Sequence, residues 1–294
     1  MPTAPSNGIS LFYEAFGSPK DPALLLVMGL GAQMTLWDDD FCRSLAGNRL
    51  HVIRFDNRDV GLSAKFDAAG VPDVAKVMGG DTSAAPYTLW DMAADSMGLL
   101  DHLGIARAHV CGASMGGMIV QAIAINHPER VLSLTSIMST TGNPNVGQPK
   151  PEAMAALMAP PATSRAEAIE RGAATWKTIG GTFPVDEAAL RERLGRDFDR
   201  SFYPVGVARQ MVAIFATGDR TEALKQVRIP TLVIHGAVDP LVTPSGGQAT
   251  AEAIPGAKLL VIEGMGHDLP PEVTPQVVEA IVANTRKAAQ PVTA

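Results

Sequence analysis

The chain has 294 residues, 46% of them apolar and 18% charged, enough for a large core and too little charge for disorder. A net charge of -6 and the lack of any Lys/Arg block argue against nucleic acid as a partner. Two cysteines, Cys42 and Cys111, make neither a disulfide framework nor a metal spacing, and no apolar run reaches the ~20 residues of a membrane span.

Residues 1–7 hold no basic stretch followed by an apolar run, so no signal peptide is expected and the protein reads as cytoplasmic. Ile9–Phe16 reads as an early strand. The run 23–28 is continuously apolar and ends at Gly29, as suits a strand buried on both faces; 50–55 is a second such run. Thr88 opens a helix to about Leu103. Leu89, Met92, Ala93, Leu100 and Leu103 share one face, and Asp91 stands three residues after Thr88 as a capping pair. A short strand over 108–111 leads to a helix, Met115–Asn126, that is apolar nearly all round and so buried; Pro128 stops it. A strand over 131–138 follows. Alternating strands and helices predict an α/β fold, with a mostly parallel sheet flanked by helices.

The alternation breaks after Thr140. Residues 142–161 are rich in Pro, Gly and Asn, and three helices without strands follow. One is opened by Ser164 and Glu167 as a capping box and runs through Trp176; the others cover about 186–198 and 205–216. Residues 140–226 therefore read as a helical cap inserted into a core made of 1–139 and 227–294. The alternation resumes with a strand over 231–235, a helix over 245–253, a strand at Lys258–Ile262 and a final helix within 271–287.

Residues 112–116 read Gly-Ala-Ser-Met-Gly, between a predicted strand and a predicted helix. This pattern seats a serine on a tight strand-to-helix turn, where small neighbours avoid collision. The pentapeptide alone is weak, since a serine after glycines is also an ordinary helix cap; its setting makes Ser114 the candidate nucleophile. A serine hydroxyl needs a base. His51 and His109 lie in strands, and His102 and His127 at helix ends, so those four read as structural. His235 closes a strand and reads as pocket-lining. His267 follows the last strand in Gly264-Met265-Gly266-His267, where an open α/β sheet collects its catalytic groups. Asp239, in the loop after the 231–235 strand, is the candidate acid to orient the imidazole. Asp268 and Glu263 are the other options, and no acid follows the 131–138 strand before Glu152. Acyl transfer also needs fixed N–H donors: Met115 supplies one, and Leu30 in Met28-Gly29-Leu30-Gly31 the other.

Together these segments resemble the α/β-hydrolase superfamily over nearly the whole chain: the oxyanion loop, Phe55 to Ser63 after the next strand, the serine turn, the acid loop and the histidine loop, in order. Met28 stands where the oxyanion loop usually begins with His, and Arg58-Asp59 where Arg-Gly is usual. Residues 25–29, 51–56 and 264–267 are similar to the aclacinomycin methylesterase branch. The resemblance implies hydrolysis of a carboxylic ester, small to medium and largely apolar, through Ser114, His267 and Asp239, without cofactor or metal. A C–C bond hydrolase, a lactonase, an amidase, a cofactor-free perhydrolase and a non-catalytic receptor stay open beside it, as do monomer and homodimer. A C–C hydrolase needs a fixed cation near the nucleophile, and Arg209 is the insertion arginine least obviously paired.

Overall fold

The computed structural model describes residues 2–288. Eight strands form one sheet: β1 (Thr3–Ser6), β2 (Ile9–Phe16), β3 (Ala23–Val27), β4 (His51–Phe55), β5 (Ala108–Ala113), β6 (Val131–Ile137), β7 (Thr231–Gly236) and β8 (Lys258–Ile262). Their order is β1-β2-β4-β3-β5-β6-β7-β8. The β1–β2 and β2–β4 pairs are antiparallel, and the rest are parallel. The continuously apolar runs became the central strands. Every residue of β3 and β5 is buried, because helices cover both faces there.

The helices before the insertion are α1 (Asp39–Ala46), α2 (Val74–Met78), α3 (Leu89–His102) and α4 (Met115–Asn126). Between β6 and β7 run α5 (Pro151–Leu157), α6 (Arg165–Ile179), α7 (Glu187–Arg200), α8 (Pro204–Thr217) and α9 (Thr221–Leu224), and α10 (Pro244–Ala253) and α11 (Thr274–Lys287) complete the chain. One apolar cluster lies where α3 and α4 cover the sheet, around Leu25, Leu89, Met92, Ile119 and Val110. The other lies under α1 and α11, around Leu24, Phe41, Leu45, Val277 and Ile281. No helix among the described residues is long and apolar enough to cross a membrane.

Several elements differ from expectation. The strand over 108–111 runs on to Ala113, directly into the serine turn. β1, α1, α2, α5 and α9 were not anticipated. The α3 start behaves as read, the Asp91 carboxylate accepting from the N–H and hydroxyl of Thr88. The α6 start is half right: Ser164 accepts the Glu167 N–H, but the Glu167 carboxylate takes the N–H and hydroxyl of Thr163, one residue earlier than a capping box requires.

The register positions the site. Val27 lies beside Gly112, Ala113 beside Ile137, Ile137 beside Ile234, and Gly236 beside Ile262. The loops that leave β3, β5, β7 and β8 therefore emerge together at the C-terminal edge of the sheet.

Candidate active site

Ser114 ends β5 and caps α4 with φ 55° and ψ −120°, a left-handed conformation that costs about 1–3 kcal/mol and persists only where its surroundings enforce it. The flanking glycines are enforced by contact. A Cβ on Gly112 would lie 2.1 Å from Gly116 O, and one on Gly116 would lie 2.1 Å from Val27 O. The Ser114 N–H still donates to Ile137 O at 2.9 Å, so the turn stays tied to the sheet while its hydroxyl projects from the edge.

His267 Nε2 is 2.9 Å from Ser114 Oγ, and His267 Nδ1 is 2.8 Å from Asp239 Oδ2. An ionised carboxylate only accepts, so Nδ1 carries the proton and Nε2 is left to accept the serine hydroxyl. The other Asp239 oxygen accepts the N–H groups of Leu241 and Val242 at 2.8 and 2.9 Å, which fixes a carboxylate that is only 1% exposed. The backbone of His267 is held by the insertion: its N–H donates to Ile179 O at 2.8 Å.

The competing acids lie elsewhere. Asp268 accepts the Gly266 N–H at 3.1 Å; burial raises its pKa against the opposing N–H bonds of Gly266 and Gly181. Glu263 is exposed. His235 does not line a pocket as expected. It is fully buried, its Nε2 donates to Val242 O at 2.7 Å, and burial lowers its pKa. It supports the acid loop from beneath, through the residue whose N–H holds Asp239.

The loop after β3 closes on the serine. A Cβ on Gly29 would sit 3.1 Å from Ser114 Cβ and 3.2 Å from Ala113 O, so a larger residue would press on the serine turn. Among the described residues, neither the Leu30 N–H nor the Met115 N–H has a hydrogen-bond acceptor. Open surface hollows beside Asp101 and Arg130 and beside Glu14 and Arg54 hold none of these residues.

The chain matches the α/β hydrolase fold family over residues 22–272. It belongs to that family. Rhodomycin D methylesterase of Streptomyces peucetius is 31% identical over 98% of this chain and 99% of its own length. 3-Oxoadipate enol-lactonase 2 of Acinetobacter baylyi is 29% identical, covering 95% of this chain and 96% of itself. Among solved structures, the enol-lactonase from Burkholderia xenovorans LB400 superposes with a TM-score of 0.74 at 27% identity, over 97% of this chain and 100% of its own.

Both departures from the family's usual pattern are compensated. Where Met28 replaces the usual histidine, Asn57 Nδ2 donates to Met28 O at 2.8 Å and braces the loop. Asp59 replaces the usual glycine and keeps a positive φ of 66°. Its carboxylate accepts from Arg209 Nε and Nη2 at 2.8 and 2.9 Å, from Tyr87 at 2.7 Å and from the Phe66 N–H at 2.8 Å. Burial works against that charge, but these bonds outweigh it and hold the Asp59 pKa below the usual range. Arg209 is thereby corrected from a candidate free cation to a buried structural partner: it is 1% exposed and also donates to Tyr203 and Gly70 O. Sequence reasoning missed Asn57, Ile179 and Gln210. Only Gln210 carried a signal, a carboxamide within the apolar run of α8.

Proposed function

We propose that this chain hydrolyses carboxylic esters through an acyl-enzyme, with Ser114 as nucleophile, His267 as base and Asp239 as its orienting acid. The observation that carries this reading is the unbroken hydrogen-bond chain from Asp239 through His267 to a serine held at positive φ. His267 Nε2 takes the hydroxyl proton as Ser114 Oγ attacks the ester carbonyl. The N–H groups of Leu30 and Met115 receive the charge that develops on the carbonyl oxygen. As the tetrahedral intermediate collapses, the imidazolium returns the proton to the departing alcohol. A water deprotonated by His267 then attacks the acyl-enzyme, and as the acyl–oxygen bond breaks the imidazolium returns the proton to Ser114 Oγ and the acid leaves.

Supporting the substrate class are relatives named a methylesterase and an enol-lactonase; each name denotes an acyl–oxygen bond. Residues 140–226 serve as the cap over a core of 1–139 and 227–294. We take the ester to be small to medium and largely apolar, as the resemblance implies. Arg209, the insertion arginine that the sequence offered as a cation for an acidic dienol, is committed to Asp59 and is not free to bind one, which supports the ester over C–C cleavage. The test is a side-by-side assay of p-nitrophenyl esters and a ring-fission dienol in the presence of a chelator. The ester should show the higher kcat/KM; preferential cleavage of the dienol would reverse the assignment.

A further inference from the structure

We infer that Gln210, on cap helix α8, is a positioning residue for the oxyanion hole; the inference rests on the ester-hydrolase reading above. Its side chain is fully buried and bonds α8 to two loops at once, the one after β3 and the one after β4. Oε1 accepts the Gly31 N–H at 2.8 Å across 179 residues, and Nε2 donates to Arg58 O at 2.7 Å. One partner is a donor and the other an acceptor, so the carboxamide has one orientation that satisfies both. Burying an amide without partners is strongly unfavourable. An apolar helix therefore keeps a glutamine here only where both ends are bonded.

The consequence falls on the neighbouring peptide. The Met28 carbonyl is pinned by Asn57 at 2.8 Å, and the Gly31 N–H is pinned by Gln210. The peptide that carries the Leu30 N–H lies between those two fixed planes. Its own carbonyl, on Gly29, accepts the Ala32 N–H at 3.3 Å, which turns the Leu30 N–H the opposite way. Gly31 has φ 66°, a conformation a glycine can leave readily, so the plane needs an external tether. Val207 stands one turn before Gln210 on the same helix, and its Cγ2 would lie 2.9 Å from a Cβ on Gly31. α8 thus backs directly onto the loop, and Gln210 converts the seating of that helix into the aim of an N–H donor.

Removing an oxyanion donor outright costs about 10²- to 10³-fold in kcat, and misdirecting one costs less. Gln210→Met keeps the volume and loses both hydrogen bonds. Its kcat on a p-nitrophenyl ester should fall about 10- to 100-fold, with KM within about 2-fold. Affinity for an aryl trifluoromethyl ketone, which forms a tetrahedral oxyanion on a serine, should fall in step with kcat. Affinity for the matching secondary alcohol, which forms none, should hold. Should Gln210→Met not fold, Gln210→Asn, which retracts the amide by one methylene, should give the same kcat-selective loss. If kcat stays within about 2-fold, or if KM, alcohol affinity and melting temperature all move with it, Gln210 serves the fold alone and the inference fails. Ser114→Ala in the same assay separates the two claims. An inactive Ser114→Ala beside an unaffected Gln210→Met refutes only the positioning role, whereas an active Ser114→Ala refutes the triad beneath it.

Discussion

Two aspartates belong to the loops around His267, and one of them bonds the imidazole. Asp239 is 2.8 Å from Nδ1, whereas Asp268, its neighbour in sequence, turns its carboxylate to the Gly266 N–H. Asp239→Asn replaces an acceptor with an amide that no longer stabilises the imidazolium or its tautomer. It should fold and lose on the order of 10²- to 10⁴-fold in kcat, while Asp268→Asn should change kcat less than about 5-fold. Steady-state kinetics of the two variants decide; equal losses would move the acid role. At this scale the proposed triad of Ser114, His267 and Asp239 stood out in the sequence because each follows a strand, in a fixed order. Gln210 and Arg209 were not. Their partners Gly31 and Asp59 lie 179 and 150 residues away, and nothing local in either segment announces the other. Arg209 looked like a spare cation because its acid was sought on its own helix.

Strand β5 leads into the Ser114 turn, and it also carries a buried histidine. His109 Nδ1 is 2.8 Å from Ser133 Oγ on the adjacent strand. Burial, aided by the charge of Arg107, pushes its pKa down to about 4. An unfolded chain binds that proton near the reference value of about 6.5, so acidification favours unfolding. The histidine's effect is absent well above pH 6.5 and grows as pH falls toward 4, up to about 3 kcal/mol as an order of magnitude. His109→Asn keeps a partner for Ser133 without titrating. Between pH 7.5 and 5 the urea midpoint should therefore fall less in His109→Asn than in the wild type, and identical falls would refute the assignment. The elements legible in the sequence were those with a continuous apolar run or a capped apolar face, such as β3, α3 and α4. β1 spans four residues and includes Pro5, too short for a period to show. α1 did carry its signals, with Asp38 accepting the Phe41 N–H and acids in the first turn. Its apolar face of Phe41, Cys42 and Leu45 was too brief to stand out.

Over the whole molecule, the insertion between β6 and β7 reaches both halves of the site. Ile179 O holds the His267 N–H, and Gln210 holds Gly31. Arg209 ties α8 to Asp59 in the loop after β4. The sequence marked this insertion by the break in strand–helix alternation, but a break in rhythm says nothing about where helices dock, and the buried polar pairs seen here, Gln210 with Gly31 and Arg209 with Asp59, join residues far apart in the chain. Covalent labelling shows whether one serine carries the chemistry. A fluorophosphonate should add once per chain, at Ser114, with loss of p-nitrophenyl ester hydrolysis in proportion to labelling. Ser114→Ala should take no label and retain only background turnover, a loss of several orders of magnitude, roughly 10⁴ to 10⁶. Label at another residue, or a Ser114→Ala variant keeping more than about a tenth of wild-type turnover against that expectation, would contradict the claim.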